Sequence, residues 1–446
     1  MRATLENIAI ALAKGQTTSQ KLVEECLVAI DNPAGEGSRT FLHVAREKAL
    51  ACAQAMDLLR KNGHAPSPYA GIPVSIKDLF DIEGEVTRSG STVLAGAKPA
   101  VMDATAIARW KAAGLIVIGR TNMTEFAFSG VGINPHYGTP KSIFDRQTGR
   151  VPGGSSSGAA IALTDDMSHG SLGTDTGGSC RIPAAFNWLV GYKPTARRIP
   201  STGAFPLSTT LDSIGPLGRS VNCCAILDAI LAGEAPSLPL MRDVAGLRIA
   251  VPKSYVLNDM DTLVARAFEN ALDRLSKAGA LIRETQFPEI DEIPSINAKG
   301  GFSAPESLAT HRELIAAHRA LYDARVLSRI ERGHEQSASD YVDLMRRRAR
   351  IIAAFNRRMR DFDLLAYPTV PIIPPAIAEF EKDADFTRLN LLILRNPSVI
   401  NMLDGCSISV PMTHSPEPPA GLMLSAPTGR DKTLFSAAAA VEKVLA

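Results

Sequence analysis

Two glycine–serine knots are the places in this chain where chemistry could be done. The first reads Gly153-Gly154-Ser155-Ser156-Ser157-Gly158, the second Gly173-Thr174-Asp175-Thr176-Gly177-Gly178-Ser179, and Ser155 and Ser179 lie 24 residues apart. Glycine and serine bury little apolar area and lose much backbone entropy on ordering. Such a stretch is either a mobile linker or a site that needs exposed backbone N–H groups. The apolar runs Ala159-Ala160-Ile161-Ala162-Leu163 and Ile182-Pro183-Ala184-Ala185-Phe186 flank or separate the knots and favour a site.

In the second knot, two glycines ahead of Ser179 let successive N–H groups converge on one spot. That spot suits the oxyanion of a carbonyl turning tetrahedral, with the serine placed to attack it. The same letters also fit a tight turn with a solvated serine, and both readings stand at this point. Cys180 adjoins the knot, but Ser179 is the better nucleophile candidate.

A serine nucleophile needs a base. The eight histidines (His43, His64, His136, His169, His311, His318, His334, His414) stand in no motif and show no metal-ligand spacing. Lys77 is the other candidate. Ile72, Val74 and Ile76 alternate as a strand does, so Lys77 falls at a strand end, where sites in α/β proteins gather. A lysine closing a strand into solvent reads the same way. To serve as a base its usual pKa of about 10.4 must fall by several units, which burial among neutral hydroxyls achieves. Ser155 could then relay a proton between Ser179 and Lys77. A rival reading takes Gly154-Ser155-Ser156-Ser157-Gly158 as a G-x-S-x-G nucleophile elbow. That motif requires a buried strand directly before it, and Asp145 to Pro152 is no such strand.

The elements that must carry these residues alternate. Helical spacing runs over residues 5–31 with a break at 15–19, and again from Arg46 to Asn62. Asp103 is expected to cap a helix through Trp110 that stops at Gly114, ahead of a buried strand at Leu115–Ile118. Leu211–Pro216 reads as a compact turn before a helix at Asn222–Leu231. Strands follow at Leu247–Val251 and Leu281–Thr285 around a helix at Leu263–Ala278. A basic amphipathic helix covers 341–362 and reads as a solvated face. A strand at Asp363–Pro368, a late strand pair at 407–411 and 421–424, and a closing helix at Thr433–Val444 complete the pattern. The expected architecture is one sheet, covered by helices.

At 446 residues with 45% apolar content the chain can bury a large core, and a net charge of +2 argues neither for nucleic acid nor for an anionic membrane surface, so neither is expected as a partner. The N-terminal apolar run at 8–13 is too short for a secretory signal or a membrane span. Six cysteines without paired spacing fit reduced thiols and a cytoplasmic location.

Taken together, the motifs resemble the amidase signature family over nearly the whole chain. They are Gly71-Ile72-Pro73-Val74-Ser75-Ile76-Lys77-Asp78, Gly119-Arg120-Thr121-Asn122-Met123-Thr124-Glu125-Phe126-Ala127, both knots, Leu211-Asp212-Ser213-Ile214-Gly215-Pro216, Tyr367-Pro368-Thr369 and the closing segment from Gly421 to Glu442. The resemblance implies a single α/β domain over residues 1–446. Its sheet would be mixed, mostly parallel, of about ten or more strands, with helices on both faces and outer N-terminal helices over about 1–65. It implies hydrolysis of a small amide by a Lys77, Ser155 and Ser179 triad through an acyl-enzyme, with a cis peptide entering Ser155. Thr176, Gly177, Gly178 and Ser179 would supply oxyanion N–H groups, and Ala127 would line the substrate site. No metal or organic cofactor is implied, and a homodimer is allowed. Arg181 is expected to pack rather than to recognise substrate. The pocket walls are expected from loops at 128–145, 201–210, 300–310 and 367–376. Two other readings remain: an amidotransferase subunit that releases ammonia from glutamine for a partner enzyme, and a non-catalytic binding protein. The intact Lys77, Ser155 and Ser179 speak against the last.

Overall fold

Eleven strands join in one sheet in the computed structural model, which describes residues 3–446. In chain order they are β1 (Phe41–Val44), β2 (Pro73–Lys77), β3 (Ile116–Thr121), β4 (Gly170–Asp175), β5 (Val190–Lys193), β6 (Ser213–Gly218), β7 (Arg248–Pro252), β8 (Leu281–Thr285), β9 (Leu364–Pro368), β10 (Cys406–Pro411) and β11 (Gly421–Ala426). Across the sheet they run β1-β3-β2-β4-β6-β5-β10-β11-β9-β7-β8. The sheet is mixed, as expected, but its parallel majority is not found. Four neighbour pairs are parallel and six are antiparallel. Parallel pairs need helical crossovers. The central strands are instead reached through short turns and long excursions that leave them antiparallel.

Helices cover both faces. On one, Ile408, Leu422 and Leu424 pack with Phe268, Leu275, Leu434 and Val441. On the other, Ala250, Leu365, Tyr367 and Met423 pack with Ile351, Phe355, Val399 and Ile400. The helix Ser157–Thr164 is buried along its whole length. Its small residues are dictated by its neighbours: a Cβ on Gly158 would meet the Thr40 carbonyl oxygen at 2.6 Å and the Asn122 nitrogen at 2.7 Å.

Three local expectations are corrected. Residues 211–216 are no compact turn; Ser213–Gly218 is β6, the antiparallel neighbour of β4. Asp103 does not cap the next helix, whose N-cap is Ala104. Its carboxylate instead accepts from Lys111 Nζ at 2.7 Å and from the Glu83 N–H at 2.9 Å. The first 65 residues contribute three main helices, Leu5–Ala13, Ser19–Asp31 and Arg46–Lys61, and also edge strand β1, paired with β3.

Candidate active site

Lys77 closes β2, and β2 runs parallel to β4 with Ile76 opposite Leu172. That register carries Thr174 alongside the lysine. Lys77 Nζ donates to Thr174 Oγ1 at 2.8 Å and to Ser155 Oγ at 2.7 Å. The lysine side chain is fully buried, and both partners are neutral hydroxyls. Desolvation lowers its pKa to about 8, against the pull of the Asp175 and Asp212 charges.

Ser155 sits just ahead of the buried helix, and the Gly154–Ser155 peptide is cis. Its flanks are tied down. The Gly154 N–H donates to the Gly130 carbonyl at 2.8 Å and the Thr124 N–H to the Ser155 carbonyl at 3.1 Å.

Ser179 follows the end of β4 through Thr176-Gly177-Gly178, and Asp175 organises that turn. Its carboxylate accepts from the N–H groups of Gly178 at 2.9 Å and Cys180 at 3.2 Å. It also accepts from Arg181 Nη2 at 2.7 Å and Nε at 3.0 Å, and from Asn401 Nδ2 at 3.0 Å. Burial alone would raise this carboxyl, but the Arg181 and Lys193 charges and the Asn401 hydrogen bond hold it well below the usual carboxylate range. Arg181 is itself fully buried, so its role is to brace the turn. Thr176 Oγ1 donates to Asp212 Oδ1 at 2.5 Å, tying the turn to the loop before β6. Desolvation raises the Asp212 pKa to about 6, against its hydrogen bonds from Thr176, Ser208 and Leu207.

This arrangement corrects one expectation. The Gly178 N–H belongs to Asp175 and is not free for a substrate oxygen. Gly178 has φ +126°, and a Cβ there would meet Pro397 Cβ at 2.5 Å, so the position requires glycine. The Thr176, Gly177 and Ser179 N–H groups have no partner among the described residues. A second expected contact is also missing. Ser179 Oγ makes no hydrogen bond among the described residues, so Ser155 and Ser179 are not linked directly here.

Ser179, Thr176 and Gly177 open onto a cavity of about 230 Å³. The arrangement of a buried lysine on a serine, a second serine facing a cavity, and three unpartnered N–H groups beside it suits acyl transfer. A model of the Amidase family matches residues 21–435. The chain belongs to the amidase signature family. It is a hydrolase acting on amide C–N bonds.

Among its relatives, a 2-amino-5-chloromuconic acid deaminase from Comamonas testosteroni is 34% identical, covering 89% of this chain and 87% of the relative. A glutamyl-tRNA(Gln) amidotransferase subunit from Streptococcus pneumoniae (strain Hungary19A-6) is 31% identical over 98% of this chain and 95% of its own. A crystal structure of an amidase superposes with a TM-score of 0.89 at 28% identity, each chain covered completely.

In this amidase none of the eight histidines lines the Ser179 cavity. His311 is buried, its Nδ1 2.9 Å from the Tyr322 hydroxyl, and burial lowers its pKa to about 4. His136 pairs with Glu125 at 2.8 Å. Cys180 is buried and its thiol is pushed far up by desolvation, which removes it as a rival nucleophile. Ala127 lines the cavity, with φ +61°. It also lines a neighbouring cavity that reaches Thr174 and Asp212, so the two spaces meet at Ala127, Thr176 and Leu207.

The walls follow the sequence only in part. Phe128, Ser129, Leu207 and residues 300–304 take part. The 367–376 loop does not; the helix Asp383–Met402 stands there with Leu391, Leu394, Ser398 and Met402. Sequence reasoning misses Thr174, Asp212, Arg329 and Arg332 as site residues. Thr174 lies inside the second knot, and the parallel pairing of β4 with β2 places it beside Lys77. The three-residue spacing of Arg329 and Arg332 is a signal for two cations on one helical face.

Proposed function

We propose that this amidase cleaves its substrate through an acyl-enzyme on Ser179, with Ser155 as proton carrier and Lys77 as base. The 2.7 Å bond from Lys77 Nζ to Ser155 Oγ, among hydroxyls and away from water, is the observation that carries the reading. A neutral Lys77 takes the Ser155 proton as Ser155 takes that of Ser179. The Ser179 Oγ–carbon bond forms as the carbonyl π pair moves to oxygen, which is held by the N–H groups of Gly177 and Ser179. The intermediate collapses, the C–N bond breaks, and the proton held by Lys77 returns through Ser155 to the departing nitrogen. Water then attacks the acyl ester by the same route, releasing the acid and restoring Ser179. The Ser155–Ser179 link closes once substrate is seated, since catalytic hydrogen bonds are often long in ligand-free sites.

Mass spectrometry of protein quenched during turnover of a small amide tests this. An acyl adduct on the peptide bearing Ser179 is expected. An adduct on Ser155 or on a cysteine would replace the assignment. The same assay on the lone chain separates a free-standing amidase from a glutaminase subunit: turnover of simple amides without a partner supports the former.

A further inference from the structure

Resting on the serine-amidase reading, we infer that Asp212 and Glu306 are positioning residues: they grip the segment 207–212 from two sides, and through Thr176 that grip aims the Gly177 N–H at the reacting carbonyl. Asp212 stands just before β6, and Glu306 lies in the first turn of the helix Ser303–His318.

The chain leading into β6 has little regular structure of its own. Its ladder contact is an isolated bridge between Ala204 and Phe80. Buried backbone donors need partners all the same, and here carboxylates supply them. The Leu207 and Ser208 N–H groups donate to Asp212 at 3.0 and 3.1 Å. The Thr210 N–H donates to Glu306 Oε2 at 3.1 Å, and Ser208 Oγ donates to the same oxygen at 2.6 Å. Glu306 Oε1 accepts from the Thr210 hydroxyl and, at 2.6 Å, from the Tyr341 hydroxyl. Every one of these donors is neutral, and hydrogen bonds to an ionised acceptor are roughly twice as strong as neutral ones.

The grip reaches the reacting end through one side chain. Thr176 Oγ1 donates to Asp212 Oδ1 at 2.5 Å. One residue on, Ser213 Oγ donates to the Asp175 carbonyl at 2.9 Å. On the other side the Gly178 N–H is held by the Asp175 carboxylate. Gly177 lies between these anchors, with no side chain of its own and an N–H that is unpartnered among the described residues. That N–H belongs to the Thr176–Gly177 peptide, which is planar, so a fixed Thr176 fixes where it points. Donors aimed in advance need no rearrangement as charge develops on the carbonyl oxygen. Glu306 acts at the wall instead. Its helix begins where Phe302, Ser303 and Ala304 line the Ser179 cavity, and Leu207 and Leu211 face the same space. The clamp therefore sets the separation of two walls.

Fluorophosphonate labelling of Ser179 tests this without a known substrate, since its dependence on probe concentration separates binding (KI) from reaction (kinact). Asp212→Asn and Thr176→Val are each expected to lower kinact about ten-fold or more, short of the roughly 10²–10³ of a deleted oxyanion donor, with KI nearly unchanged. The double variant should react no more slowly than the slower single one, because both changes remove the same link. Thr176→Ser keeps the hydroxyl and should retain most of the wild-type rate. Glu306→Gln should raise KI about five-fold while kinact holds, the pattern of binding lost without reaction lost. Circular dichroism checks each fold. Should an acidic-residue variant not fold, two milder comparisons decide: Thr176→Val against Thr176→Ser, and Tyr341→Phe, which takes one donor from Glu306 and should also raise KI. Wild-type kinact in folded Thr176→Val, losses that multiply in the double variant, or an unchanged KI on loosening Glu306 overturns the proposal and leaves the serine mechanism standing. A wild-type protein whose Ser179 resists fluorophosphonate overturns the amidase mechanism and this proposal together.

Discussion

Lys77 Nζ stands 2.7 Å from Ser155 Oγ, with Thr174 Oγ1 as its only other partner among the described residues. An ammonium group with two hydroxyls and no carboxylate is poorly compensated for burial, which is why its proton is held weakly. Replacing Lys77 by Ala is expected to lower kcat by about 10²–10⁴-fold, the range for a general base. Lys77→Arg should fall as far, since a guanidinium stays protonated. Steady-state kinetics with circular dichroism as a folding check decides it. An equal or larger loss in any folded His→Ala variant overturns the base assignment.

The pH profile follows from the same group. In the proposed mechanism Lys77 acts when neutral, and burial brings its pKa down to about 8. The value kcat/KM should therefore climb tenfold per pH unit well below 8 and level off above it. A profile flat between pH 6 and 8 would contradict a lysine base.

Ser179→Ala is expected to abolish fluorophosphonate labelling, whereas Cys180→Ala should retain it. The Cys180 thiol is buried and hard to ionise, while Cys52 is exposed. Iodoacetamide on the native protein should label Cys52 and spare Cys180, as peptide mapping would show.

The fully buried Asp175–Arg181 pair, 2.7 Å apart, holds the turn that carries Ser179 in shape. Asp175→Asn leaves Arg181 without its counter-charge and should cost about 3–5 kcal/mol of stability. Because the folded carboxyl is held below its unfolded value, its contribution is present above pH ~4 and fades as pH falls further. Urea midpoints of both proteins at neutral and acidic pH measure this: the gap between them should shrink in acid.

Gly178→Ala should be both unstable and inactive. The φ of +126° and the 2.5 Å approach to Pro397 leave no room for a methyl group, and a strained backbone position costs about 1–3 kcal/mol before any overlap. A folded variant with wild-type kcat would show that the turn tolerates rearrangement.

Several parts of the molecule were legible from local pattern. Alternation at Ile72, Val74 and Ile76 marked β2 because one strand spacing governs both sequence and pleat. Helical spacing marked the long helices for the same reason. The strands β4, β5 and β6 were not legible. Gly170–Asp175 and Ser213–Gly218 are rich in glycine and serine, because close-packed neighbours exclude larger side chains: a Cβ on Gly215 would meet the Tyr192 carbonyl oxygen at 2.1 Å. Such strands are held by their surroundings and carry little β signature of their own.

The order of residue types along the chain determined by itself which groups could react: a lysine ending a strand, and two serines in glycine-rich turns. Folding alone decided which of them meet. Lys77 reaches Ser155 because β2 and β4 pair in one register and the buried helix seats Ser155 over them. The Gly178 N–H is lost to Asp175 because that carboxylate folds back on its own turn. Arg329 and Arg332 reach the cavity from a helix some 150 residues beyond Ser179. Contacts of that span depend on packing between distant segments, and no local pattern of residues encodes them.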